Sequence, residues 1–451
     1  MTNIETVVLQ QAQNLPRYTS YPPDNHFKAG EDLLLIENLL AAACGVDALS
    51  IYIHIPYCDR LCWFCGCHTK HTLSYDPIEQ FVKTLTKEIA LFASKIGSPK
   101  RISKLHLGGG SPSLLKMAEL TDMRRALEKL GTIDQSTEIS VEIDPSDVIG
   151  ETIANLKAFG LTRASIGVQD FDPVVQAAIN RPQTFEQTRD VVIALRAAGV
   201  TSLNIDALYG LPLQTPESLQ DTITKVLSLA PDRIALFGYA HIPWMKPHQK
   251  LIHDEDLPSG QQRLIDSTQA ALSIVAGGYQ AIGIDHFAKP YDTLATASRN
   301  GKLKRNFQGY TDDDCEVMLG FGPSSISRFP AGYIQNEVAT GRYTAAIFDG
   351  KFAAAKGLEL YEDDIIRGWI IERLMCDFAF TKAELTAKFG NAADAYWQQA
   401  QAIALNDHNG LCMIEGSTFA LKLEARPLVR VIASKFDSWL NDSKFLYSKA
   451  V

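Results

Sequence analysis

The sequence predicts an α/β protein built on a partial (β/α)6 TIM-like barrel. Six short apolar segments recur between residues 49 and 239, each followed by a stretch with apolar residues at helical spacing, and several of those stretches end in glycine. Repeated βα units lead to a parallel sheet with right-handed crossovers. A complete TIM barrel needs eight units, so six describe a partial one. A doubly wound open sheet is the alternative topology.

The strands are expected at Leu49–Ile55, Lys104–Leu107, Glu138–Ile143, Arg163–Val168, Ser202–Leu208 and Arg233–Tyr239. All are rich in Ile, Val and Leu and bounded by Gly, Pro or Asp, as buried parallel strands are. Between them, Pro77–Ile96 carries Ile78, Phe81, Val82, Leu85, Ile89, Phe92 and Ile96 on one helical face. Further helices are expected at Leu114–Leu130, Glu151–Phe159, Phe185–Ala198 and Glu217–Leu229, with Gly131, Gly160 and Gly199 closing three of them. A helix at Gln261–Val275 and a strand at Tyr279–Ile284 extend the sheet. After about residue 340 the pattern changes. Helices at Asp364–Met375, Lys382–Phe389 and Ala392–Leu405, strands at Leu411–Ile414 and Thr418–Leu423, and a closing helix at Pro427–Leu440 describe a mainly helical, winged-helix-like domain. The expected division is an N-terminal arm (1–46), a barrel with extension (47–340) and a C-terminal domain (341–451).

A hydrophobic content of 46% and a charged content of 21% exclude disorder, collagen and a coiled-coil rod. The net charge of −9 argues against a broad nucleic-acid or anionic-membrane surface. A winged-helix-like tail is often a DNA reader, but from Thr381 to Val451 it has eight Lys/Arg and seven Asp/Glu. Phosphate binding needs a concentrated cationic face, so a packing or lid role is expected, with no nucleic-acid partner. No run approaches the ~18 apolar residues of a membrane span, and Met1–Gln13 lacks a signal-peptide layout. The expected compartment is the cytoplasm, where thiols stay reduced. No long exposed heptad is present, so a monomer is expected.

In that light the eight cysteines are informative. Cys44, Cys315, Cys376 and Cys412 stand alone, whereas Cys58, Cys62, Cys65 and Cys67 crowd into ten residues directly after the first strand. Loops at strand C-terminal ends form the reactive face of a barrel. Three cysteines spaced C-x3-C-x2-C on one loop can curl around an iron–sulfur cube. If only three thiolates bind, one iron keeps an open position. Trp63 and Phe64 would shield such a cluster from water. A structural zinc site is the rival reading, although its knuckles are usually two separated pairs.

C-x3-C-x2-C after the first strand of a βα barrel resembles the radical S-adenosylmethionine (SAM) superfamily. The C-x3-C-x2-C-x-C form, preceded by Tyr52-Ile-His54-Ile-Pro56, resembles its oxygen-independent coproporphyrinogen III oxidases. Supporting matches follow in order along the chain: Pro16-Arg17-Tyr18-Thr19-Ser20-Tyr21-Pro22, Gly108-Gly109-Gly110-Ser111-Pro112, Glu142-Ile-Asp144-Pro145, Gly167-Val-Gln169-Asp170, Asn204-Ile-Asp206, Tyr209-Gly-Leu-Pro212, Tyr239-Ala240-His241, Asn306-Phe-Gln-Gly-Tyr310 and Gly320-Phe-Gly322. Ser111 stands where the family usually has Thr, and Pro323 where a small apolar residue is expected.

The resemblance implies one [4Fe-4S] cluster ligated by Cys58, Cys62 and Cys65, with Cys67 a functional residue that does not ligate. Tyr52, Gly109, Glu142 and Ile326 match positions that hold the SAM on the cluster. Phe64, Gly110, Ser111, Gln169, Arg181, Asp206 and Ala240 match those holding a second SAM. It also makes the arm a cover over the substrate cavity, with Arg17 meeting a propionate, and Cys67, Arg17 and Tyr18 are the catalytic candidates. Read without the resemblance, the glycine run is either a binding turn or a structural one. Glu142 and Asp206 are equally readable as internal salt bridges or turn caps. His54, His68, His71, His241 and His286 are read as ordinary hydrogen-bonded residues, not ligands.

The implied reaction begins when the reduced cluster donates an electron to SAM, generating a 5′-deoxyadenosyl radical. The radical takes a hydrogen from a propionate of coproporphyrinogen III, which loses CO2 and an electron to become a vinyl group. Two such steps give protoporphyrinogen IX, in haem biosynthesis. A low-potential electron donor of unspecified identity is a required partner. The alternative function is a haem-binding delivery protein on the same scaffold. Such relatives typically lack the fourth cysteine and the PRYTSYP arm, both present here.

Overall fold

The computed structural model describes residues 15–30, 33–97 and 99–440. Its centre is six parallel strands, β1 (Ala48–Ile55), β2 (Lys100–Gly109), β3 (Glu138–Ile143), β4 (Arg163–Gln169), β5 (Ser202–Tyr209) and β6 (Arg233–Gly238), each hydrogen-bonded to the next. The strand order never reverses, which excludes the doubly wound alternative. Crossovers that always advance in one direction leave their helices on one face, and the twisted sheet curls into an arc.

Alternation along the strands assigns the two faces. Leu105, Leu107, Ile139, Val141, Ala164, Ile166, Leu203 and Ile205 are fully buried against Leu85, Ile89, Leu127, Leu156, Leu195 and Ile223 of the surrounding helices. Each such side chain contributes about 1.5–3 kcal/mol relative to exposure. Residues of the opposite parity are polar and only partly buried: Tyr52 on β1, His106 on β2, Glu142 on β3, Ser165 on β4, and Asn204 and Asp206 on β5. Apolar branched residues fill an ordinary barrel interior; here the polar face lines an internal space. The first crossover helix, Asp76–Ile96, starts with Pro77 in its first turn and Asp76 and Glu79 near its positive end, and stops at Gly97 with φ 84°.

Charged side chains close the N-terminal end of the arc. Lys104 pairs with Asp312 and with Glu138 at 3.4 Å, Arg163 reaches Glu138 at 3.5 Å, and Arg233 holds Asp292 at 2.7 Å.

The expected extension at Tyr279–Ile284 is an antiparallel pair, β7 (Gln280–Ile282) and β8 (His286–Ala288), with β8 lying on β6. A separate hairpin, β9 (Lys304–Asn306) and β10 (Gly309–Thr311), follows. A seventh parallel strand, β11 (Met318–Phe321), lies on the free side of β1 and was not anticipated. It is four residues long, contains glycine and lacks a following helix, so no βα rhythm marks it. From β11 the sheet continues as an antiparallel meander, β12 (Ile326–Phe329), β13 (Gly332–Asn336) and β14 (Ala354–Glu359), capped by Lys28–Ala29. Residue 341, the expected start of the C-terminal domain, falls within this meander. A further helix, Leu33–Cys44, also went unanticipated.

The C-terminal segment has helices Glu362–Asp377, Lys382–Phe389 and Ala393–Leu405. Beside them is a small antiparallel sheet in which Thr418–Leu421 pairs with both Ala379–Thr381 and Cys412–Glu415. The expected closing helix at Pro427–Leu440 is not continuous. Only Val429–Ala433 is α-helical, flanked by 3-10 turns at Leu423–Leu428 and Ser434–Phe436. The chain leaves helical geometry at Asp437, where it turns to hold the N-terminal arm: the Tyr18 hydroxyl donates to Asp437 at 3.0 Å and the Ser438 N–H donates to the Tyr21 hydroxyl oxygen at 3.1 Å. Among the described residues no helix is long and apolar enough to cross a membrane.

Candidate active site

The cysteine loop leaves β1 at the C-terminal end of the barrel and is held by its own carbonyl groups. The Leu61 carbonyl accepts from Asn180 at 2.9 Å, the Phe64 carbonyl from Gln249 at 2.9 Å, and the Cys67 carbonyl from Lys246 at 3.0 Å. The His248 ring lies 2.7 Å from the Cys65 carbonyl. Trp63 and Phe64 pack beside Val175, Ile179 and Leu211, so one side of the loop is dry.

All eight cysteines are free. Burial pushes the Cys58 thiol up to about 12, helped by Cys65 and Cys62 nearby. Cys65 is drawn down to about 6, first because the Cys67 thiol donates to it, and Cys67 itself is held well above the usual thiol range as that donor. Arg181 donates to the Cys62 sulfur at 3.4 Å and pairs with Asp144 at 2.8 Å. A single zinc would draw its sulfurs to ~2.3 Å from one point. Among the described residues no three of these thiols lie within 4.8 Å of one another. Three cysteines on one short run suit a cluster ligand set better than the two separated pairs of a zinc knuckle.

Gly108-Gly109-Gly110 ends β2 beside this loop. A Cβ on Gly110 would stand 2.4 Å from the Tyr57 carbonyl oxygen, so that position needs glycine for close backbone approach, and one on Gly108 would push against the Glu142 carboxylate, 2.6 Å away. The Gly109 N–H donates to Glu142 at 3.0 Å, and the His106 ring meets the other Glu142 oxygen at 3.1 Å. Those partners hold the Glu142 carboxyl below its usual value against the opposing effect of burial. Tyr52 stacks on His106 at 5.8 Å and contacts His54 at 3.0 Å.

Arg17, Cys67, Glu142 and Asp285 retain accessible surface although protein surrounds each of them. Such groups mark the concave inner side of the barrel as a cavity: Cys67, Tyr52 and Glu142 are neighbours, Glu142 and His286 act on Asp206, and His286 and Arg17 act on Asp285. Asp206 accepts from Asn204 at 2.7 Å and Ser165 at 3.1 Å, and burial together with Glu142 raises it to about 6.

The other anticipated residues are distributed around this space. Gln169 ends β4 at a bulge with φ 66°, a left-handed conformation uncommon for a residue with a side chain. Ser111 is buried next to Cys58, Ala240 follows β6, and Ile326 begins β12. Arg17 reaches the cavity. Tyr18 does not: it is 5% exposed, packs in the C-terminal core and is bonded to Asp437, so it anchors the arm. Of the histidines, the His54 ring meets the His68 carbonyl at 2.8 Å, His241 the Tyr239 hydroxyl at 2.8 Å and His286 the Asp285 carboxylate at 2.7 Å.

Residues 52–226 match the model of the radical SAM superfamily. An oxygen-independent coproporphyrinogen III oxidase from Bradyrhizobium diazoefficiens is 42% identical over 97% of this chain and 98% of its own. Its counterpart from Salmonella typhimurium is 37% identical over 94% and 93%. The chain belongs to the oxygen-independent coproporphyrinogen III oxidase family. In agreement, the solved coproporphyrinogen III oxidase of Escherichia coli, described as a radical SAM enzyme, superposes with a TM-score of 0.89 at 35% identity, covering 95% of this chain and 100% of that one.

Some members of this oxidase site were not singled out from the sequence. His106 was legible, since it alternates with Lys104 and Gly108 on the inner face of β2. Lys246, His248 and Gln249 were not, because nothing in their spacing ties them to cysteines about 180 positions earlier. Asp285 and Arg305 were invisible for the same reason.

Proposed function

We propose that this family member carries out the oxygen-independent oxidative decarboxylation of two propionates of coproporphyrinogen III to vinyl groups, giving protoporphyrinogen IX. Each propionate loses CO2, one hydrogen atom that ends in 5′-deoxyadenosine, and one electron that passes to an electron acceptor. The observation that carries the reading is a loop with three cysteines at the C-terminal end of β1, beside the polar inner face of the barrel, in a chain whose oxidase relatives match it end to end.

When bound, a [4Fe-4S] cluster with SAM supplies the one-electron chemistry that removes the hydrogen. Cys58, Cys62 and Cys65 would hold three irons and leave the fourth for SAM. Tyr52, Gly109, Glu142 and Ile326 would position that SAM, with Glu142 already oriented by His106 and the Gly109 N–H. A second SAM would lie among Phe64, Gly110, Ser111, Gln169, Arg181, Asp206 and Ala240. Cys67, beside Cys65 and facing the cavity, would act on substrate or SAM. Arg17 would take a propionate, because a guanidinium fork matches a carboxylate. Enclosure by the arm keeps water and oxygen from the reacting carbon.

The expected division into arm (1–46), catalytic barrel (47–340) and C-terminal domain (341–451) is part of this proposal, with the last boundary moved beyond β14 because that strand pairs in the barrel sheet. So are a cytoplasmic monomer and a low-potential electron donor.

Anaerobic incubation of the iron-reconstituted chain with coproporphyrinogen III, SAM and reductant tests the reading. Protoporphyrinogen IX, methionine and 5′-deoxyadenosine are the expected products. Stable haem binding with no protoporphyrinogen would instead support the delivery-protein alternative, which the oxidase relatives disfavour.

A further inference from the structure

The end of the cavity away from the cysteine loop holds more positive charge than the described residues neutralise. Arg17, Arg263, Arg305 and Arg430 converge there from the arm, the helix Gly260–Ala276, β9 and the C-terminal segment. Two of them have clear structural work. Arg430 donates to the Pro16 carbonyl at 2.9 Å and to the Leu15 carbonyl. Arg263 donates to the Tyr239 carbonyl at 2.8 Å and the Gly210 carbonyl at 3.4 Å.

Arg305 is different. Its guanidinium lies 4.5 Å from the centre of the Tyr310 ring, and one Nη donates to the Arg17 carbonyl at a long 3.5 Å. Its Nε and Nη1 are shut off from solvent and, apart from the Tyr310 hydroxyl beside the guanidinium, meet no acceptor among the described residues. Among the described residues neither the Arg17 nor the Arg305 guanidinium forms an ion pair. The carboxylate both feel is Asp285, whose oxygen is engaged by His286 at 2.7 Å. Buried donors of a charged group left unmatched are costly, and a native fold keeps them where a ligand completes them.

We propose that Arg305, aligned on Tyr310 and coupled to the arm through the Arg17 carbonyl, is a carboxylate receptor of the substrate cavity and acts with Arg17 on one propionate. This rests on the oxidase reading above. A guanidinium presents parallel N–H donors that a carboxylate accepts in pairs, which a lysine cannot reproduce. Tyr310 fixes the plane of the fork, and Asp285 keeps the pocket from repelling its own arginines without occupying the free donors.

Two carboxylate sources are available, a substrate propionate and the methionine moiety of SAM, and binding measurements separate them. The probes are coproporphyrin III, its tetramethyl ester and SAM, titrated into the iron-reconstituted wild type, R305K and R305Q. Coproporphyrin III is expected to bind R305Q about 10- to 100-fold more weakly, the range of a lost charge-assisted pair. R305K should recover only part of that loss, while the ester and SAM should bind all three proteins alike.

Thermal melting without ligand separates a receptor from a structural role. Because removing an unmatched buried charge relieves repulsion from Arg17 and Arg430, the melting temperature of R305Q should hold or rise. Coproporphyrin III affinity unchanged in R305Q, an equal loss for the ester, a loss confined to SAM, or a clearly lower melting temperature would each overturn the assignment. If the wild type itself fails to bind coproporphyrin III, the oxidase reading falls, an outcome distinct from a silent Arg305.

Discussion

Four cysteines within ten residues have unequal surroundings, and those surroundings divide their roles. Cys65 accepts from Cys67 and is drawn toward the thiolate, burial pushes Cys62 up in spite of its Arg181 donor, and Cys67 keeps its proton and faces the cavity. Cys62→Ser is expected to abolish iron incorporation and SAM cleavage, and Cys67→Ser to retain the iron. Iron content and 5′-deoxyadenosine release check both, and loss of iron in Cys67→Ser would reverse the ligand assignment. Asp206 offers a pH test. Its folded value of about 6 lies above the ~3.9 of an unfolded chain, so the folded state holds this proton more tightly. Its ionisation therefore lowers stability progressively between about pH 4 and pH 6 and costs most above that window. Asp206→Asn should melt higher than wild type at pH 7.5, and the gap should close near pH 4.

Among the elements, the arm depends most on distant sequence. Its described part is tied by Tyr18 to Asp437, by Tyr21 to Ser438 and by Arg430 to the Pro16 carbonyl. The same segment presents Arg17 to the cavity, so docking and substrate contact are linked through one stretch of backbone. Tyr18→Phe removes a buried donor from Asp437 and should cost about 1–3 kcal/mol. Limited proteolysis is the check: cleavage between residues 15 and 22 should accelerate while the barrel stays intact. The cysteine loop contrasts with the arm. Side chains from the segments around Asn180 and Gln249 hold its carbonyls, so its shape does not depend on the thiols themselves.

At the scale of the whole molecule, the barrel separates stability from chemistry. Its outer face makes the main apolar core with the helices, its inner face is polar, and ion pairs shut one end. Arg233 and Asp292 are each buried to 5% side-chain exposure in that closure. Breaking such a pair leaves an uncompensated buried charge, so Arg233→Met should destabilise the fold by about 3–5 kcal/mol. Urea unfolding measures this, and the loss should appear equally in protein with and without iron, since the pair lies at the end opposite the cysteine loop.

The sequence by itself determined the six βα units and the reactive loop, because both are written locally. Apolar period and glycine stops mark the strands and helices, and C-x3-C-x2-C lies within one turn of chain. The parity of β2, β3 and β5 even encoded which residues face inward, including Glu142 and Asp206. Only the tertiary structure decided the rest. β11 beside β1 is a pairing across more than 260 residues with no local signal. Tyr18 and Arg17 are neighbours in the motif, yet one is spent on Asp437 and the other reaches the cavity. The cationic end joins residues 17, 263, 305 and 430, whose charges acquire a common meaning only when folding excludes water between them.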